Sequence, residues 1–246
     1  MYPHAKYLLA GDQNIVVEIG NDISIDIHKK VRGLFIALTK ISGDEIIEVI
    51  PTYRSLLVHY NPLLISSHEL IRKIKKIEES LEDMELPPAR VVKIPVLYGG
   101  EYGPDLEFVA QYNHLTPDEV ISIHCSRDYL VYMLGFTPGF CYLGGMSAEI
   151  ATPRLAEPRT NIPAGSVGIA GNQTGMYPID SPGGWRIIGR TPVRLFTPEN
   201  EKQPVLMQAG DYIRYYPITL EEYQFIQKAI EENRYRIEVD SIKKEV

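Results

Sequence analysis

GFTPGFCYLGG at positions 135–145 and PRLAEPRTNIPAGSVGIAGNQTGMYPIDSPGGWRIIGRTP at 153–192 decide how this chain is read. Residues 135–192 hold eleven of its 19 glycines and seven of its 18 prolines, so backbone geometry shapes this half more than helical periodicity does. Glycine serves where φ must be positive or where a neighbour approaches the main chain closely, and proline pre-sets turns and removes a donor. A flexible linker would be rich in serine and poor in large apolar residues. Here the glycines are interleaved with Phe136, Phe140, Tyr142, Val167, Ile169, Tyr177, Trp185, Ile187 and Ile188, all suited to burial. The stretch is expected to fold as a loop-built surface that fixes polar groups in place.

On both sides of these motifs the pattern is β-rich. YLVYML, GSVGIA, WRIIG, PVRLF and DYIRYYP are short runs separated by Gly/Pro turns, as in an all-β barrel or sandwich. RVVKIPVLYGG reads as a strand ahead of them, with a short helix within residues 104–112. Thr116-Pro117-Asp118-Glu119 starts a helix with a capping box and proline in its first turn. Thr219 caps a last helix through Ile230, and RYRIEV is read as the closing strand.

The first third follows another rule. IVVEI is a strand, and Ile23, Ile27, Val31, Leu34, Leu38 and Ile41 then recur at helical spacing. EIIEVIPT and YRSLLVHYN are two further strands. Ser66 and Glu69 form a capping box for a helix with a core stripe of Leu70, Ile74, Ile77, Leu81 and Met84. The order β-α-β-β-α lacks one strand of the split βαβ, ferredoxin-like pattern. Leu86-Pro87-Pro88 ends the helix, so the fold class is α+β: a ferredoxin-like α+β domain over residues 1–88, then a β barrel over 89–246.

Bulk properties narrow the function. A chain of 246 residues, 44% hydrophobic and 23% charged, is an ordinary globular composition. A net charge of −7 argues against a nucleic-acid partner, which needs clustered Lys and Arg. The basic run Arg72, Lys73, Lys75, Lys76 is balanced at once by Glu78, Glu79, Glu82 and Asp83, as on a solvated helix face. No signal peptide or apolar span of roughly 20 residues is visible, so the expectation is cytoplasmic, with no membrane partner. Cys125 and Cys141 read as buried free thiols. No phosphate-binding Gly-Lys-Ser/Thr loop or His-Glu-x-x-His occurs, and the six histidines lack metal-ligand spacing, so no metal is expected. Ser166 in GSVG matches a nucleophile elbow only loosely. These absences favour a binding module or one half of a composite active site.

The segments GFTPGFCYLGG, PRLAEPRT, IPAGSVGIAGNQTGMYP and SPGGWRIIGRTP resemble the family that contains the B subunit of bacterial ATP-dependent 5-oxoprolinase. It is also called the KipI-like or allophanate hydrolase subunit 1 family, and a related region lies in the carboxyltransferase part of urea carboxylase. The resemblance implies that the barrel is cyclophilin-like. It implies a subunit, inactive alone, that works with subunits A and C to open 5-oxo-L-proline to L-glutamate, with ATP as the cofactor of the complex. Two rival roles come with it: an inhibitor that binds a sensor histidine kinase, and half of a biotin-dependent carboxyltransferase. The chain has no Met-Lys-Met biotinylation tag. It departs from the family pattern at Asn161, where a basic residue is common.

Several side chains are candidates for ligand contact. The guanidinium forks of Arg154, Arg159 and Arg190 suit a carboxylate or phosphate. Gln173 and Thr174, between Gly171 and Gly175, would present an amide and a hydroxyl from a tight turn. Tyr177 is a further candidate, and Thr137 with Phe140 would form one wall of the same groove. His124, at the end of the Thr116 helix, is read as a positive C-terminal cap or, less favoured, as a proton-transfer group. No catalytic residue is assigned.

Overall fold

The computed structural model describes residues 1–41, 43–81 and 86–242 of the chain. It divides into two compact units, Met1–Pro87 and Pro88–Val246.

In the first unit β1 (Lys6–Leu9), β2 (Asn14–Glu18), β3 (Ile46–Pro51) and β4 (Ser55–Tyr60) form an antiparallel sheet in the order β1-β2-β4-β3. Strand alternation turns Ile15, Val17, Leu56, Val58 and Tyr60 to one face. There they are buried with Val31, Leu34 and Leu38 of α1 (Ile25–Ile41) and with Leu70 and Ile74 of α2 (Ser67–Ser80). Helix α2 starts as its capping box predicts: Ser66 Oγ accepts from the Glu69 N–H, and Glu69 accepts from the Ser66 N–H. One strand beyond the β-α-β-β-α reading lies ahead of β2 in the chain. It is β1, four residues long and paired Leu8↔Val16 against β2. Ile23 and Ile41, read as the ends of the α1 stripe, are exposed. Met84 of the α2 stripe, and Glu82 and Asp83 of the charge run, lie outside the described residues.

The second unit begins with β5 (Ala89–Tyr98), α3 (Leu106–Tyr112), α4 (Pro117–Cys125), β6 (Asp128–Leu134) and β7 (Cys141–Gly144). It continues with β8 (Arg159–Ile162), β9 (Ser166–Ala170), β10 (Gln173–Met176), β11 (Ser181–Gly183) and β12 (Arg186–Arg190), and ends with β13 (Tyr212–Pro217), α5 (Leu220–Glu231) and β14 (Val239–Ile242). Its main sheet runs β10-β9-β12-β5-β13-β6-β7, with β14 also on β5, while β8 and β11 pair separately. The two end strands meet: the Cys141 carbonyl of β7 lies 3.5 Å from where a Cβ on Gly175 of β10 would stand. The sheet is therefore a nearly closed barrel. Val92, Ile94, Tyr129, Val131, Val167, Ile169, Ile188 and Tyr215 belong to its main core.

Two expected strands are corrected. PVRLF is not a strand; within it, Phe196 makes an isolated bridge with Val205, and the Val193 N–H is taken by Thr191 Oγ1. RYRIEV is irregular until Val239. After α5 the chain turns through Asn233 at φ +55°, and the N–H groups of Arg234 and Tyr235 both return to the Ala229 carbonyl. That left-handed helix ending uses the residues meant to open the strand. No helix among the described residues is long and apolar enough to cross a membrane.

Candidate functional site

A second cluster, Phe140, Ile162, Ala170, Tyr177, Trp185 and Ile187, packs apart from the main core. On β9 and β12 the two clusters alternate: Val167, Ile169 and Ile188 go to the core, Ala170 and Ile187 to the second cluster. Over it lies a groove of about 320 Å³. Its floor depends on two residues without side chains. Gly168 on β9 and Gly175 on β10 are direct cross-strand partners. Trp185 lies over the bare backbone they leave, with its Cβ 3.3 Å from a would-be Cβ at 168 and its Cζ3 3.0 Å from one at 175. Phe140 meets the rings of Tyr142, Trp185 and Tyr177 edge-on at 5.4, 5.6 and 5.7 Å, the arrangement that ring quadrupoles favour. A Cβ at Gly183 would strike the Tyr177 hydroxyl, so glycine is required there as well.

The candidates divide around this groove. Arg154 lines it, with its guanidinium 6.0 Å from the Trp185 ring centre, and makes no ion pair among the described residues. Gln173, Tyr177 and Phe140 line it too. Thr174 does not. The two neighbours sit on β10, not on the turn itself, so they face opposite ways and Thr174 is buried. Thr137 is not among the lining residues, and its hydroxyl is buried and unpartnered. Arg190 lies apart from the groove, its guanidinium 5.4 Å from the Tyr102 ring centre. Ser166 is fully buried, which removes it as a nucleophile.

Arg159 is engaged within the chain. It donates to Asp105 Oδ1 at 2.9 Å and to the Trp185 carbonyl at 3.3 Å. Asp105 is a residue that the sequence reading missed. Its carboxylate is buried and also accepts from the Ile187 N–H at 2.7 Å, while its own N–H donates to the Ile187 carbonyl. One carboxylate thus ties Arg159 and the start of β12, which directly follows Trp185, to the segment ahead of α3. The one local signal for it was Gly-Pro-Asp ahead of the α3 helix.

Burial sets the protonation of the nearby groups. It pushes the Tyr177 phenol above its usual 10, although the Trp185 backbone and the charges of Arg154 and Arg159 pull the other way. Tyr177 is therefore a neutral hydroxyl and not a base. His124 is 0% exposed and held neutral, its pKa lowered by desolvation to about 3. Thr174 Oγ1 donates to the Gly168 carbonyl at 3.1 Å and so accepts from His124 Nε2 at 2.8 Å. Nδ1 then accepts from the Tyr98 hydroxyl at 2.7 Å. The expected positive cap is overturned: the end of α4 is buried, and the dipole does not offset the loss of water around a charge. Both cysteines are free; Cys141 is buried, Cys125 half-buried. No cluster suited to a metal occurs among the described residues.

Two further concavities, of about 330 and 550 Å³, lie on the first unit. The larger exceeds the groove in volume, but it is lined by Lys30 and Lys75 together with Glu78 and Glu79, whose charges offset one another.

The model of the carboxyltransferase domain, subdomain C and D, matches residues 5–207. The chain belongs to that family. It is 44% identical over 224 residues to the B subunit of 5-oxoprolinase from Bacillus subtilis, covering 87% of this chain and 92% of that protein. It is 48% identical to the solved structure of a conserved uncharacterized protein, PH0987, from Pyrococcus horikoshii, with a TM-score of 0.53 over 89% of this chain and all of the other. The urea amidolyase of Kluyveromyces lactis is more distant, at 20% identity, and shares the fold with a TM-score of 0.75. There this chain spans 97% of its own length but 16% of the larger protein. The family resemblance carried by the glycine- and proline-rich motifs is borne out.

Proposed function

We propose that the chain is the B subunit of an ATP-dependent 5-oxoprolinase, a ferredoxin-like unit (residues 1–88) joined to a cyclophilin-like barrel (89–246). It works in the cytoplasm in a hetero-oligomer with subunits A and C. The reaction takes 5-oxo-L-proline, ATP and two waters to L-glutamate, ADP and phosphate.

The observation that carries this reading is the pairing of an aromatic groove with one uncommitted guanidinium, Arg154. A flat lactam ring suits the aromatic surface, its carboxylate suits Arg154, and Gln173 lines the same groove. Tyr177, neutral and buried, binds and shapes but does not attack. The groove does not fit ATP. A triphosphate would meet a single free guanidinium, and the sequence has no phosphate-binding Gly-Lys-Ser/Thr loop. In this reading phosphoryl transfer belongs to a partner subunit, and this chain binds, orients and shields one face of the substrate.

Reconstitution tests the reading. The three subunits together should release ADP in a 5-oxoproline-dependent way, and leaving out this chain should abolish that release. Unchanged release without it would sink the proposal.

A further inference from the structure

The turn between β6 and β7 carries a strain that its own folding does not explain. Phe136 has φ +65°, in the left-handed region that bulky side chains avoid. Across it the Thr137 N–H donates to the Gly135 carbonyl at 2.8 Å. A bond two residues apart around a positive φ is the rare, strained kind of γ-turn. The same turn leaves Thr137 Oγ1 buried without a partner. Such strain persists where the surroundings over-determine it, typically at binding sites. Glycine stands at 135 and at 139, yet phenylalanine occupies the strained position between them. Its ring is not spent on the core: Phe136 is 65% exposed, at the groove, with its ring 5.5 Å from Phe140 and edge-on to it.

We propose that Phe136 is a specificity-determining residue of the groove. Its turn holds a bare phenyl face ready to contact a small, flat, uncharged ring that carries a carboxylate, with the carboxylate on Arg154 at the Trp185 side. The inference rests on the groove reading above and adds the residue that selects the ring. The turn sets the backbone and the edge-on contact with Phe140 places the phenyl at the groove before binding, which lowers the ordering cost when the ligand arrives.

Trp185 is the chain's single tryptophan, so its fluorescence reports the groove directly. The full chain, alone and with its partner subunits, is titrated with 5-oxo-L-proline and with 2-pyrrolidinone, which has the ring and no carboxylate. Phe136→Ala and Phe136→Gly should each bind both compounds about tenfold more weakly than wild type, the scale of a lost aromatic contact. The Gly variant should melt above the Ala variant, because glycine alone relieves the positive φ. Arg154→Met should weaken 5-oxoproline binding and leave 2-pyrrolidinone unchanged. Equal affinity in wild type and both Phe136 variants would overturn the role of Phe136 and leave the groove reading standing. No fluorescence response of the wild type, alone or in the complex, would overturn both. A Gly variant that melts below the Ala variant and shifts Trp185 emission before ligand is added would make Phe136 a packing residue and overturn the inference.

Discussion

Lowering the pH from 7 to 4.5 tests the interior of the barrel unit at one atom, Nδ1 of His124. In the unfolded chain this ring takes up a proton near its usual 6.5; in the folded chain it does so only near 3, because burial strips water from the charge. Between those values the unfolded state binds a proton that the native state does not. The stability contributed by the neutral ring is present above pH 6.5 and is lost as the pH falls towards 3. At pH 4.5, two units below the unfolded value, the proton favours unfolding by about 3 kcal/mol, whereas at pH 7 the effect nearly vanishes. That difference corresponds to a Tm drop on the order of 10 °C for a unit of this size. Trp185 lies in the same unit, so urea unfolding followed by its emission reads the quantity directly. His124→Gln should be less stable at pH 7 by about 1–3 kcal/mol, since Tyr98 and Thr174 lose a well-placed partner. It should nevertheless lack the extra acid-induced loss. Equal losses in wild type and variant would refute the reasoning. If the variant does not fold, the wild-type ring resonances decide it by NMR: they should stay constant from pH 7 to 4.5, and a midpoint near 6.5 would be fatal.

Asp105→Asn should cost about 2–4 kcal/mol by weakening the contacts to Arg159 and Ile187, and should red-shift Trp185 emission as the floor loosens; an unshifted spectrum would contradict its positioning role. Gly175→Ala puts a methyl 3.0 Å from the Trp185 indole. It should destabilise the unit by about 1–3 kcal/mol and weaken 5-oxoproline binding, whereas wild-type affinity would show that the Gly168–Gly175 seat is not needed. Ser66→Ala removes the α2 cap and should lower stability by about 1 kcal/mol in denaturant titration of the full chain, with Ser66→Thr retaining most of it.

Local chemistry made part of this molecule legible. The capping boxes at Ser66, Thr116 and Thr219 all form, because a side chain and a backbone N–H three residues apart need nothing distant to meet. Strands β7, β8, β10 and β11 were not legible as strands. Each is three or four residues long, too short for a period of two to stand out. The candidate site was half legible. Arg154, Gln173, Tyr177 and Phe140 share the groove, whereas Arg159 is engaged by Asp105, 54 positions away in sequence.

By itself the sequence determined where the backbone must turn or be approached closely: the glycines and prolines crowded into residues 135–192. These are properties of a residue and its own φ and Cβ, so they are present in the string. Only the tertiary structure decided which way each side chain faces and what charge it carries. Gln173 and Thr174 are neighbours separated by strand alternation once β9 pairs with β10. His124 ends a helix that ought to favour its cation, yet it is neutral because strands distant in sequence close over it. Facing and desolvation are sums over neighbours brought together by folding, which no local stretch of sequence contains.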